Sequence, residues 1–226
     1  MPQYTLILSN KARHRGHIWR KALELENGRH YEGEKFRDIE LSGVDLKAAH
    51  FIKCDLRGAN FKEVVTTGCL FSGCNFTGAR FGASFHKNSY FTNCNFEHAD
   101  MFGAKFDNCK MTGSIFKETI ITGLSIVEGD WSYINFRHAN LKGFDLKKVC
   151  FKYADFYGSN LEKADLRGAD LENAVLQKAK LFGADLRGAR LDGIDFRGID
   201  LNKVKIDLMQ AASIVQSYGV VFDFMK

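Results

Sequence analysis

The sequence predicts a repeat protein whose unit is five residues long, and three observations support this fold class. Every fifth residue from Phe36 to Ile206 is large and apolar, apart from Thr66 and His86. The phase of this spacing does not slip anywhere along the stretch. Neither the helical period of about 3.6 residues nor the two-residue period of a strand produces it, so the chain is an array of short structural repeats.

Each large apolar residue is the centre of a unit with defined neighbours, as in Ala184-Asp185-Leu186-Arg187-Gly188. A small residue stands two positions before the centre (the small slot). Asp or Asn often stands one before it (the outward slot), and Gly often stands two after it (the corner slot). A small residue beside a large one fills a narrow shaft without overpacking. Gly suits the positive φ of a tight turn.

This pattern resembles the pentapeptide-repeat family over about three quarters of the chain. The resemblance implies an all-β fold, a right-handed quadrilateral parallel β-helix with one unit per side and four units per coil, ending in a short C-terminal α-helix. The apolar centres would form the structural core, among them Phe36, Leu56, Phe76, Phe96, Phe116, Phe136, Phe156, Leu166, Leu186 and Phe196.

The two ends depart from the repeat. We expect residues 1–30 to form an N-terminal cap or basic arm, residues 31–206 the β-helix, and residues 207–226 a C-terminal helix and tail. The basic run near the N-terminus fits an arm for nucleic acid or an acidic partner, but a cap is favoured because an open β edge invites aggregation. Asp207 can cap a helix that stops at Gly219. Apolar residues on this segment predict a homodimer through the C-terminus: Leu208, Met209, Ala212, Val215, Tyr218, Val221 and Phe222.

Between residues 119 and 148 the units are irregular. Leu124, Gly129, Ile134 and Phe144 occupy the small slot, and Trp131 is a centre. Packing there must differ from the regular coils, which predicts a bulge or a change of coil shape. The segment is either a recognition patch or drift in a tolerant repeat. The candidate partner-binding residues in and beside it are Ile115, Ile120, Val127, Tyr133, Arg137 and His138.

Six cysteines and seven histidines raise the question of a disulfide or a metal site. Five cysteines occupy the small slot, and we expect them to be reduced core residues, since no paired Cys-x-x-Cys ligands for zinc occur. His86 is a centre, although Phe85 beside it could point inward instead. Motifs for phosphate binding, zinc hydrolysis or a nucleophilic serine are missing. We therefore expect a binding protein that is not an enzyme, with no catalytic residue, metal or cofactor.

Composition and the lack of targeting segments bear on the location of the protein and on its classes of partner. The chain has 226 residues, of which 45% are apolar, and a net charge of +5. It shows no signal peptide and no apolar run long enough to cross a membrane, so we expect a cytoplasmic protein with no membrane partner. Direct nucleic-acid binding is not expected, because the sequence lacks a continuous basic stripe with interleaved aromatic residues.

Both ends of the repeat also resemble the Qnr and MfpA branch of the family, whose members protect type II topoisomerases from fluoroquinolones. Tyr31-Glu32-Gly33-Glu34-Lys35 is similar to the Qnr entry into the first coil, and positions 194–201 and 204–207 are similar to the Qnr exit. This resemblance implies DNA gyrase or topoisomerase IV as the partner. The alternative is an interaction scaffold for another protein. Nearly balanced charges on every predicted face argue against mimicry of DNA by an acidic rod.

Overall fold

The computed structural model describes residues 25–221, which form a right-handed four-sided parallel β-helix followed by one helix. Backbone pairing joins each residue to the one twenty positions later, from His30 with His50 at the start to Asp185 with Lys205 near the end. Four five-residue units therefore make one coil, which confirms the predicted fold class.

Within the described residues, strands of three residues occur only between His30 and Val127. One sheet contains β1 (His30–Glu32), β3 (His50–Ile52), β5 (Leu70–Ser72) and β7 (Tyr90–Thr92). The other contains β2 (Asp45–Lys47), β4 (Val65–Thr67), β6 (Phe85–Lys87), β8 (Lys105–Asp107) and β9 (Ser125–Val127). Later coils continue the same parallel pairing through isolated bridges.

The outward slots form four columns, and these columns define the four faces of the rod. Bridged outward slots run in steps of twenty from 35 to 175 on the first face and from 30 to 190 on the fourth. On the second face they run from 40 to 120 and from 140 to 180, and on the third from 45 to 125 and from 145 to 205. Residues twenty apart are therefore direct neighbours on the surface.

The centres point into the shaft and form one continuous apolar core. All ten core residues named above are buried, and the most exposed of them, Phe36, shows 6% of its surface. Phenylalanine rings stack along the shaft: the Phe76 and Phe96 ring centroids lie 5.0 Å apart with planes 2° from parallel. Stacking at the coil spacing lets each ring fill the space between its neighbours.

His86 also points into the shaft, and Phe85 lies on the outward slot, so the suggestion that Phe85 turns inward is wrong. The His86 ring stacks on Phe106 with centroids 4.7 Å apart. Its Nδ1 lies 2.8 Å from Thr66 Oγ1, and its Nε2 lies 2.9 Å from Ser84 Oγ. Burial lowers the pKa of His86 to about 3, so the imidazole is neutral and both ring nitrogens are satisfied.

The corner slot has a positive φ in every unit from Asp38 to Lys203, whether or not the residue is Gly. Two corner types nevertheless exist. At a closed corner the small-slot N–H donates to the carbonyl of the centre three residues earlier, as Ala174 N does to Leu171 O at 2.9 Å. At an open corner this bond is missing from the described backbone, as between Cys74 and Phe71.

All five inward cysteines lie at open corners. Each thiol donates to the carbonyl of a centre one coil earlier, which the open corner has left without its usual donor. Cys74 Sγ, for example, lies 3.2 Å from Phe51 O. All six cysteines are free, and burial raises the pKa of the Cys109 thiol to about 12. The cysteines are thus structural hydrogen-bond donors, and Cys150 alone lies on an outward slot.

The irregular segment opens the rod on two of its faces. Within the described chain, no backbone hydrogen bond joins residues 116–128 to residues 136–148, although both stretches pair normally with their outer neighbours. The first and fourth faces stay connected through Ile115 with Asn135 and Asp130 with Cys150. We call this opening on the second and third faces the inter-coil cleft. It confirms the predicted change of coil shape.

Bulk in the small slot accounts for the cleft. Leu124 and Phe144 lie twenty residues apart in one column, where intact coils carry residues such as Ala104 and Ala164. Two large side chains stacked in a slot built for small ones overfill the shaft and force the coils apart. Phe144 is left half-buried and lines the cleft.

Helix α1 (Leu208–Gln216) closes the C-terminal end of the rod. Asp207 caps it with a reciprocal capping box involving Gln210. Gln210 and Ile214 face the last coil, where Gln210 Nε2 donates to Ala189 O at 3.0 Å. No helix in residues 25–221 is both long and apolar enough to cross a membrane, and α1 is the single helix of that range. The basic N-terminal run lies outside the described residues.

Candidate partner-binding surface

The structure separates the six predicted partner-binding residues into two groups. Ile120 lies on the second face and Val127 on the third, next to the inter-coil cleft. The other four lie on the first face or along its edges: Ile115, Tyr133, Arg137 and His138. The first face is therefore where sequence-predicted residues come together.

Two stacked tyrosines form one edge of this face. Tyr133 and Tyr153 occupy successive corner slots, and their ring centroids lie 4.8 Å apart with planes 8° from parallel. They remain 58% and 45% exposed, respectively. Both have a positive φ, which orients the rings away from the shaft at the corner of the rod. A flat aromatic surface is thereby presented to solvent.

The opposite edge combines an arginine with a third tyrosine. Arg137 Cζ lies 4.4 Å from the Tyr157 ring centroid, and Arg137 Nη1 donates to Asp155 Oδ2 at 2.9 Å. The His138 ring packs edge-on against Tyr157 at 5.7 Å. Gly158 makes room for it, because a Cβ there would lie 2.6 Å from His138 Nδ1. The arginine and the histidine are held in place by neighbours one coil later.

We call these six residues the tyrosine platform: Ile115, Tyr133, Arg137, His138, Tyr153 and Tyr157. Exposed tyrosine and arginine side chains with few free rotamers suit a protein contact, because little entropy is lost when they are ordered. Sequence reasoning missed Tyr153 and Tyr157. The sequence does carry a signal for them, since each lies twenty residues after a predicted residue, but both lie beyond the irregular segment.

Charges on the rod are mixed and largely paired. On the third face Arg187 Nη2 lies 2.6 Å from Asp185 Oδ2, and this bond holds the Asp185 pKa at about 2. Such pairs form within one unit, and cross-coil pairs such as Lys142 with Glu162 at 2.8 Å also occur. Exposed pairs contribute little to stability. Within residues 25–221 no face carries an unbroken row of carboxylates.

The C-terminal helix exposes a second apolar surface. Leu208 is 85% and Met209 74% exposed, and Val215, Tyr218 and Val221 are also exposed. Ala212 is half-buried, and Phe222 lies outside the described residues. Tyr218 has a second role, because its hydroxyl donates to Phe196 O at 3.2 Å across the end of the rod. In residues 25–221 no group of three or more His, Cys, Asp or Glu side chains could hold a metal ion.

Comparison with known families assigns the repeats. A family model described as pentapeptide repeats matches residues 39–85 and 159–207 in overlapping segments, and a model described as a pentapeptide repeat region matches residues 99–176. These matches include the tyrosine platform and both walls of the inter-coil cleft.

One curated relative is the pentapeptide repeat protein MfpA of Mycobacterium tuberculosis, which is 30% identical over 116 residues. The match covers 51% of this chain and 52% of MfpA, so the chain spans about half the length of that relative.

Two solved structures share the architecture. A trypsin-treated variant of QnrB1, a plasmid-mediated fluoroquinolone resistance protein, aligns with a TM-score of 0.59 and 25% identity, covering 86% of this chain and 97% of QnrB1. HetL, a pentapeptide repeat protein involved in heterocyst differentiation regulation in the cyanobacterium Nostoc sp. strain PCC 7120, aligns with a TM-score of 0.50 and 19% identity over 79% of this chain and 89% of HetL.

Proposed function

Because this chain belongs to the pentapeptide-repeat family and is similar to the Qnr and MfpA proteins, we propose that it binds a type II topoisomerase and protects it from fluoroquinolones. The observation that carries the proposal is the similarity to QnrB1, which extends over 86% of the chain. DNA gyrase or topoisomerase IV is the proposed partner. The protein would act by binding, without catalysis and without a cofactor.

The tyrosine platform is the proposed contact surface. It combines a stacked tyrosine pair with an arginine held against a third ring, and such residues supply much of the energy of protein interfaces. Ion pairs surround it, so the mixed charge of the rod does not favour competition with DNA phosphates. We therefore propose recognition through local shape and aromatic contacts rather than through mimicry of duplex DNA.

The experiment is a gyrase supercoiling and cleavage assay with a fluoroquinolone present. We expect added protein to restore supercoiling and to reduce the number of drug-trapped breaks. The double variant Tyr133→Ala, Tyr153→Ala should need at least about tenfold more protein for the same rescue, since it removes the stacked aromatic pair of the platform. Tyr90→Ala is the matched control, because Tyr90 is 48% exposed on the fourth face.

A rescue that the platform variant leaves unchanged would keep the topoisomerase as partner and reject the platform. No rescue with either gyrase or topoisomerase IV would reject the proposed activity. The second candidate function is a scaffold for another protein partner. The paired charges are consistent with it, because they give the rod no resemblance to a nucleic acid.

We also propose a homodimer through helix α1. Leu208 and Met209 are almost fully exposed while the opposite side of the helix caps the rod, so the apolar side is available to a second copy. Light scattering should give a dimer mass for the wild type. The variant Leu208→Lys, Met209→Lys keeps the cap and should be monomeric. A dimer mass in this variant, or a wild-type monomer at high concentration, would contradict the interface.

A further inference from the structure

The inter-coil cleft carries an inference that is independent of the topoisomerase. Its two lobes have volumes of about 750 Å³ and about 690 Å³ and share Gly123, Lys142 and Phe144. One lobe lies along the second face and the other along the third. The opening is therefore continuous around a corner of the rod.

Both walls of the cleft present backbone groups that the next coil would normally satisfy. In regular coils Met101 N donates to Ile120 O at 2.9 Å, and Leu141 N donates to Asn160 O at 2.8 Å. Between these pairs, the described structure shows no partner for the backbone N–H groups of Ile121, Gly123, Asn140 and Asp145. The carbonyls of Thr119 and Leu124 that would accept from the second wall lack their donors as well.

The floor of the cleft is apolar. Ile121 is 8% exposed and Leu124 5% exposed, whereas Met101 and Ala104 one coil earlier are fully buried. Phe144 lies half-buried between the lobes. Ile121 and Leu124 remain buried, so Phe144 supplies most of the exposed apolar surface, directly beside backbone groups that lack partners. A ligand that contacts both would be stabilised by both.

Charges around the opening are mixed and mostly paired. The lining cations are Lys117, Arg137, Lys142, Lys147 and Lys148, and the lining carboxylates are Glu118, Glu128 and Asp145. Lys147 forms an ion pair with Asp145, and Lys117, Arg137 and Lys142 form ion pairs with Glu97, Asp155 and Glu162 beside the cleft. The cleft therefore selects its ligand through backbone groups rather than through charge. Water could hydrate the backbone groups, but it would leave the apolar floor uncovered.

We propose that the inter-coil cleft binds an extended peptide segment of a partner protein, which pairs with both walls as an additional strand. Main-chain hydrogen bonds would supply the affinity, as in other cases of strand addition, and apolar side chains would cover the floor. Both walls turn at a glycine with positive φ, Gly123 at 71° and Gly143 at 70°. The bound segment would therefore contain two short extended arms joined by a residue with positive φ, for which glycine is best suited.

A synthetic probe tests this directly. The probe is the fluorescein-labelled peptide acetyl-Ala-Asp-Leu-Glu-Gly-Ala-Asp-Leu-Glu-amide, titrated into the full chain by fluorescence polarisation. We expect saturable binding. The same peptide with N-methyl groups on both leucines keeps the charge and apolar surface but loses two donors, so its affinity should fall at least about tenfold. Equal affinity of the two peptides, or no binding of either, would overturn the proposal.

Variants locate the binding. Leu124→Ala with Phe144→Ala restores small residues in the small slot, which should close the cleft and abolish binding. Val64→Ala truncates the same slot in an intact coil and should bind the probe like the wild type. Unchanged affinity in the Leu124/Phe144 variant would overturn the site.

Hydrogen exchange gives a test that does not depend on variants folding. In the free wild type, the amides of Ile121, Gly123, Asn140 and Asp145 should exchange faster than the paired amides of Met101 and Leu141. Saturating probe should slow exchange at the first four. Uniform protection in the free protein, or protection by the probe elsewhere only, would contradict the proposal.

Discussion

The coils before the inter-coil cleft and the coils after it follow the same five-residue phase but differ in construction. Before the cleft, three-residue strands alternate with closed corners, and the shaft is filled by stacked phenylalanines. After it, every corner from Phe136 to Leu201 is closed, and leucine centres with alanine in the small slot predominate. The five-residue period therefore sets the path of the chain in both regions. The corner geometry differs, because open and closed corners both occur before the cleft and only closed corners follow it.

The largest effect should come from charging the shaft in either half. Phe96→Asp and Leu166→Asp each place a carboxylate where the wild-type residue is fully buried, which should cost more than about 4 kcal/mol and abolish cooperative unfolding. Circular dichroism during urea denaturation measures this. Phe96→Leu and Leu166→Met are the controls and should each cost less than about 1.5 kcal/mol. A soluble, cooperatively folded Asp variant in one half would show that the shaft there has a different register.

Acid should destabilise the coils before the cleft, because they contain the buried neutral His86. Its folded pKa of about 3 lies below the ordinary value of 6.5, so the unfolded state takes up the proton first and stability falls as pH decreases from 6.5 towards 3. Within that window the free energy of unfolding falls by about 1.4 kcal/mol per pH unit, and above pH 6.5 His86 causes no loss of stability. Between pH 6.5 and pH 4.5, the free energy of unfolding measured by urea denaturation should fall by about 2–3 kcal/mol more in the wild type than in His86→Phe. Parallel pH curves for the two proteins would contradict a buried neutral His86.

A smaller effect is expected from removing a thiol, which should destabilise the protein more at an open corner than on the outer surface of the rod. Cys94→Ala removes the thiol that donates to Phe71 O at 3.4 Å and should cost about 1 kcal/mol in the free energy of unfolding. Cys94→Ser retains a donor and should recover part of this loss. Cys150→Ala, on an outward slot, should change stability by less than about 0.5 kcal/mol. Equal losses at positions 94 and 150 would mean that the open-corner thiol has no structural role.

Much of the fold was predictable because one apolar residue in five leaves few architectures. The sequence also predicted the irregular segment, since Leu124 and Phe144 are too large for their slot. It did not predict that the coils would separate on two faces only, because that depends on how two stacked side chains relax against the whole shaft. Corner type was equally hidden: Ala49 and Ala59 occupy the same slot, yet only Ala59 closes its corner. Tyr153 and Tyr157 could have joined the predicted site through the twenty-residue spacing.

The twenty-residue coil also limits how the length of this chain can change during evolution. Deletion of a single pentapeptide between Tyr133 and Tyr153 would rotate everything after it by one face, separating the tyrosines and breaking cation–π and ion pairs such as those of Arg137. Deletion or duplication of a whole coil leaves every later column in place. Relatives that keep the platform should therefore differ in repeat number by whole coils, or carry insertions that leave and rejoin the rod at one corner.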